Sequence, residues 1–68
     1  MPSTVIRNID YQEDASRLQI TFQTGAIYNY YGVPEAVYMG LRQARSKGAY
    51  FNKHISGIFP FKRVSSSV

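Results

Sequence analysis

From residue 17 to residue 23 the chain alternates without a break. Leu18, Ile20 and Phe22 are apolar, and Arg17, Gln19, Thr21 and Gln23 are polar. A period of two is that of a strand with one face buried. The preceding stretch, TVIRNIDY, is β-branched and apolar and runs into the polar QEDAS. It predicts a first strand over about 5–11 and a turn after it. The following stretch, AIYNYYG, comes after the turn signal QTG and predicts a third strand ended by Gly32.

From VPEAVYMGLRQA onward the period lengthens. Pro34 suits the first position of a helix, and Glu35 suits its first turn, where the helix dipole favours an anion. Val37, Leu41 and Ala44 fall on one stripe, with Tyr38 and Arg45 at its edge and Arg42 just beyond. Gly40 costs a helix about 1 kcal/mol relative to Ala, so we read it as a place of close approach to a neighbour. SKGAYFNKHI predicts a second, shorter helix, with Ser46 as its N-cap, Phe51 and Ile55 on one face, and Gly57 as the stop. FPFKRV is extended because of Pro60, and SSSV at 65–68 reads as a flexible tail. The order, without repeats, predicts an α+β fold: a three-stranded antiparallel sheet followed by two short helices packed on one face. It forms a single domain over 1–68 with an ordered core of about 4–64.

The loop between the second and third strands decides where the tyrosines point. A two-residue Thr24-Gly25 loop needs positive φ at both positions, which a β-branched Thr resists. A three-residue loop, Gln23-Thr24-Gly25, needs it only at Gly25. We read the longer loop, which sets Ile20 opposite Tyr28 and Leu18 opposite Tyr30. Opposed residues share a face, so both rings join the apolar side and Tyr31 faces away. The shorter loop, one residue slipped, sends both rings to solvent.

Charge adds what periodicity leaves out. Residues 1–35 carry Arg7 and Arg17 against Asp10, Glu13, Asp14 and Glu35, a net of −2, while residues 36–68 carry six cations and no acid, giving the total of +4. A basic half with nothing internal to neutralise it points to an anionic partner, or to solubility alone. A chain of 68 residues buries a modest core, and with no cysteine and one histidine it has neither disulfide nor zinc site to staple it. Its six Tyr and four Phe supply the bulk instead. MPSTVIRNID lacks a signal-peptide run, and no stretch approaches the roughly 20 apolar residues of a membrane span. We expect a cytoplasmic domain that does not meet a membrane.

The segment RSKGAYFNK carries the candidate chemistry. A helix beginning near Lys47 leaves its first N–H groups unpaired and partly positive, with Arg45, Ser46 and Lys47 around them and Gly48 admitting a ligand to the backbone. Arg42 continues the patch one turn away, and Lys53, Lys62 and Arg63 extend it along a nucleic-acid backbone. Tyr31, Tyr50 or Phe61 are candidates for stacking on single-stranded bases. The plainer reading is a capped helix start with solvated charges, and aromatic rings that fill the core. His54 has no carboxylate close in sequence, and Asp10, Glu13 and Asp14 read as turn residues. No phosphate-binding glycine loop or nucleophile elbow is present. We expect no catalysis, cofactor or metal.

One set of spacings resembles a known family. A strand ending in Tyr11, L-x-I-x-F at 18–22, G-x-x-Y-x-Y at 25–30, V-P at 33–34 and A-x-S-x-G-x-Y-F-N at 44–52 are similar, in order and spacing, to the KTSC domain family. The likeness runs from about residue 3 to 59, with a departure at Phe59, where the family leads us to expect Tyr. That family is found at the C-terminus of some lysyl-tRNA synthetases and as small bacterial single-domain proteins. The resemblance implies a link to RNA and marks Tyr28 and Tyr30 as the family's Y-x-Y motif. The expectation is a non-catalytic module that grips nucleic acid, RNA foremost, through a basic face. The alternative is a protein-interaction module that docks on an acidic partner or adds a strand to its sheet edge.

Overall fold

The computed structural model describes residues 6–64. The expected tail at 65–68, and the first residues of the expected ordered core, lie outside them. The sheet is antiparallel throughout and its strands lie in the order β1 (Ile6–Gln12), β2 (Arg17–Phe22), β3 (Ile27–Tyr30) and β4 (Phe61–Val64). Helices α1 (Glu35–Gln43) and α2 (Lys47–His54) together form the connection from β3 to β4.

The β2–β3 hairpin has the three-residue loop. The Gly25 N–H donates to the Phe22 carbonyl and the Phe22 N–H to the Ala26 carbonyl, both at 2.8 Å, and Gly25 has φ of 97°. Leu18 consequently pairs with Tyr30 and Ile20 with Tyr28, the register read from turn chemistry. Across β1, Tyr11 pairs with Leu18 and Ile9 with Ile20, so the same face continues over three strands.

The fourth strand corrects the expectation of three. β4 pairs with β3, setting Phe61 opposite Tyr30 and Arg63 opposite Tyr28. Its sequence, FKRV, hides the pairing. Phe61 and Arg63 point to one face and Lys62 and Val64 to the other, so each side carries one apolar residue and one cation and the period-two signal cancels. Two smaller corrections concern boundaries. Pro34 is extended (φ −68°, ψ 153°) and caps α1 from outside, so Glu35 is the first helical residue. Asp10, read as part of a turn, lies within β1 opposite Gln19, whereas Glu13 and Asp14 do form the 3-10 turn that follows.

Both helices cover one face of the sheet. Leu18, Ile20 and Tyr30 from the strands, Val33 from the link to α1, and Leu41, Phe51 and Ile55 form the buried core. The Phe51 ring stands edge-on to those of Phe22 and Tyr30, at 5.5 and 5.4 Å between centroids. Tyr11 fixes the start of α1 twice, stacking on Tyr38 at 4.7 Å and donating its hydroxyl to the Val33 carbonyl at 2.7 Å.

Gly40 is the close approach its position in α1 suggests. A Cβ there would lie 2.6 Å from the Tyr50 Cζ, overlapping the hydroxyl end of the side chain that packs between the two helices. Gly40→Ala is expected to destabilise the fold by about 1–2 kcal/mol, because the overpacking outweighs the helix propensity gained. Urea denaturation checks it. In a Tyr50→Ala background the same change is expected to be neutral or stabilising, which isolates the steric cause.

Candidate nucleic-acid interface

The corner between the helices gathers five of the predicted site residues. Arg42 lies in the last turn of α1, Arg45 and Ser46 lie in the link that follows, and Lys47 and Gly48 open α2. Ser46 is the N-cap, its hydroxyl accepting from the Ala49 N–H at 3.3 Å. The cap satisfies that donor and leaves the N–H groups of Lys47 and Gly48 without an intrahelical acceptor. Arg42, Arg45 and Ser46 are exposed, and Lys47 and Gly48 half-buried. Neither arginine nor Lys47 makes a side-chain hydrogen bond or ion pair with another described residue.

Lys47 occupies an electrostatically adverse position. The first turn of α2 contains no acid, so a cation faces the positive end of the helix dipole uncompensated. The carboxylates sit elsewhere. A 3.0 Å bond from the Val33 N–H to the Ser16 carbonyl ties the turn carrying Glu13 and Asp14 to the start of α1, where Glu35 lies. α1 then rises about 10 Å from Glu35 to Arg42. Acid collects at one end of this helix and base at the other.

The remaining predicted cations are dispersed. Lys53 is exposed on the outer side of α2, away from the buried Phe51 and Ile55. Lys62 and Arg63 project from opposite faces of the sheet. Lys62 pairs with Asn29 on the uncovered face, where the Gln19 side-chain amide donates to Asn29 Oδ1 at 3.2 Å. Arg63 lies on the helix-covered face, with its guanidinium 6.0 Å from the Tyr28 ring.

Of the aromatic candidates, Tyr28 is half-buried and Tyr30 buried, both on the core side, while Tyr31 is exposed. Tyr50 packs on His54 at 4.4 Å between centroids, and His54 itself is exposed. Phe61 is 55% exposed although its ring lies 5.4 Å from those of both Tyr28 and Tyr30. Beside it opens a cleft of about 640 Å³ walled by Phe22, Tyr28, Tyr30, Phe51 and Phe61. Sequence reasoning missed this cleft, and only recognising FKRV as a strand could have placed Phe61 beside the tyrosines. Among the described residues no cluster of three or more His, Cys, Asp or Glu could hold a metal. No helix among the described residues is long and apolar enough to cross a membrane.

Burial raises the Tyr30 phenol, helped by the neighbouring Tyr28, up to about 12. Between pH 10, where a free tyrosine ionises, and 12, the unfolded chain releases a proton that the folded chain retains. The stability tied to Tyr30 is therefore intact below about pH 10 and is lost as pH rises towards 12. Phenolate absorbance is expected to show a late step for one of the six tyrosines, absent in Tyr30→Phe.

The chain is similar to known proteins along most of its length. The KTSC domain matches residues 2–59. The chain is 40% identical over 62 residues to a lysine–tRNA ligase of Nostoc punctiforme, covering 91% of this chain and 11% of the ligase. It is 37% identical over 60 residues to the ligase of Trichormus variabilis, covering 88% of the chain and again 11% of the ligase. The chain thus spans about a tenth of these curated relatives. An uncharacterized protein of Stutzerimonas stutzeri is 34% identical over 53 residues, covering 78% of this chain and 75% of that protein. The crystal structure of a KTSC domain protein from Yersinia pestis superposes with a TM-score of 0.87 at 34% identity, covering 96% of this chain and 92% of that one. Sequence and fold agree, and the chain belongs to the KTSC domain family.

Proposed function

We propose that this chain is a small non-catalytic module that binds nucleic acid, RNA foremost, by gripping phosphates at the α1–α2 corner. The observation that carries the reading is Lys47. A cation in the first turn of α2, beside Arg42 and Arg45 and with no acid in that turn, costs the fold stability that an incoming phosphate would restore. Two N–H groups without an intrahelical acceptor, two arginines and a lysine around Gly48 suit a phosphate, which accepts from backbone and guanidinium donors alike. The relatives named lysine–tRNA ligases carry a similar segment within proteins whose name includes a tRNA, which favours RNA over other polyanions. A cytoplasmic setting follows from that reading.

The test is the salt dependence of binding to single-stranded RNA, followed by fluorescence anisotropy. A phosphate grip is expected to give a linear log–log plot with a slope of about −0.7 per contact on a single strand. A flat plot would contradict it.

A second reading, a protein-interaction module, is favoured by the exposure of Ile58 (58%) and Phe61 (55%) close to edge strand β4. Such an interface would rest on a few buried apolar anchors and depend little on salt.

A further inference from the structure

A phosphate grip leaves the aromatic cleft beside β4 unexplained. We propose that this cleft receives one unpaired nucleobase of a bound strand, so that the module selects single-stranded over fully paired nucleic acid. The proposal rests on the nucleic-acid reading above and names what that reading's strand does at a second place.

The walls suit a flat ring. Phe22, Tyr28, Tyr30, Phe51 and Phe61 surround a space of about 640 Å³, within the range of small-ligand sites. Phe61 stands at its side with 55% of its surface in water, in a domain with few rings to spare. A base stacked there would cover it, and stacking needs no particular sequence.

The polar groups also favour a base over an aliphatic side chain. Tyr30 is only 5% exposed, and its hydroxyl has no hydrogen-bond partner among the described residues. Among the described residues no side-chain oxygen or nitrogen is both sealed from solvent and unpartnered, so this hydroxyl keeps some access to solvent, and Tyr30 is one of the residues lining the cleft. An aliphatic occupant would bury it unpaired, whereas a base edge offers it donors and acceptors. None of the residues lining the cleft is acidic, and Arg63 over Tyr28 supplies a cation for the phosphate attached to the base. α2 links the two places. Its N-terminus forms the basic corner, and Ser56 and Gly57, just past its C-terminus, border the cleft. The helix is about 12 Å long, a span that a short run of nucleotides can bridge.

The test compares three fluorescein-labelled probes on the full chain at one low salt concentration: an RNA octamer, the same backbone with all bases removed, and a blunt duplex. Two variants accompany it, Phe61→Ala, whose side chain is mostly exposed and whose loss the fold should survive, and Tyr30→Phe, which removes one hydroxyl. The intact octamer is expected to bind about tenfold tighter than the abasic strand, and Phe61→Ala to erase that difference without weakening abasic binding. Tyr30→Phe is expected to weaken the octamer several-fold and leave the abasic strand unchanged. Equal affinity for octamer and abasic strand, or a Phe61→Ala variant indistinguishable from the parent, would overturn the base pocket while leaving the phosphate grip standing. If neither strand binds a folded protein, the nucleic-acid reading fails and the pocket with it. An aromatic peptide that then shifts the Phe61 and Tyr28 ring signals would identify the cleft as a protein-docking site instead.

Discussion

Phe51→Ala is expected to lower the unfolding free energy by about 3–5 kcal/mol, the usual cost of removing a buried ring. Phe51 is 5% exposed and is the side chain through which α2 reaches the sheet, edge-on to Phe22 and Tyr30. A domain of this length has roughly 3–10 kcal/mol in total, so the variant should be largely unfolded or close to it at room temperature. No disulfide or metal site among the described residues is present to hold the chain together when the core is cut. Urea denaturation followed by circular dichroism measures the loss. A drop below about 1 kcal/mol would mean that α2 is held by something other than this ring cluster.

The triple variant Arg42→Gln/Arg45→Gln/Lys47→Gln is expected to keep its fold and lose its ligand. Three phosphate contacts removed from a single strand flatten the log–log salt slope by about 2 and weaken binding on the order of a hundredfold at low salt. Stability should move little, because exposed substitutions are usually within about 0.5 kcal/mol. The helix dipole makes two opposing contributions here. Arg42 sits in the last turn of α1, where a cation is favoured, and Lys47 in the first turn of α2, where it is not. Lys47→Glu alone is therefore expected to stabilise the fold by a few tenths of a kcal/mol while weakening RNA binding. Stability and affinity moving in opposite directions on one substitution is the mark of a residue held for its ligand rather than for the fold. A variant that binds as tightly as the parent would contradict the assignment of the corner.

The sequence revealed the hairpin and the cap of α2 because single residues decide them. Gly25 alone could take the left-handed position of the loop, and that fixed Tyr28 and Tyr30 on the side of Leu18 and Ile20. Ser46 had a hydroxyl in the right place for a helix start, and the structure uses it. Where no residue decides, the pattern was silent. β4 mixes an apolar residue and a cation on each face, so its four residues read as extended chain without a partner. The aromatic cleft was hidden for the same reason, since it exists only once β4 brings Phe61 against Tyr28 and Tyr30. The cationic corner was legible as a run along the chain. The separation of Lys62 from Arg63 by the sheet was not, because it depends on a strand that the pattern did not reveal.

The most direct test of the central claim is an amide NMR titration of the labelled chain with mixed-sequence single-stranded RNA at low and moderate salt. A phosphate-gripping module predicts shifts concentrated at Arg42 to Gly48 that fade as salt rises. A spectrum that stays unperturbed at low salt would contradict the claim, and the search would then turn to protein partners for the β4 edge.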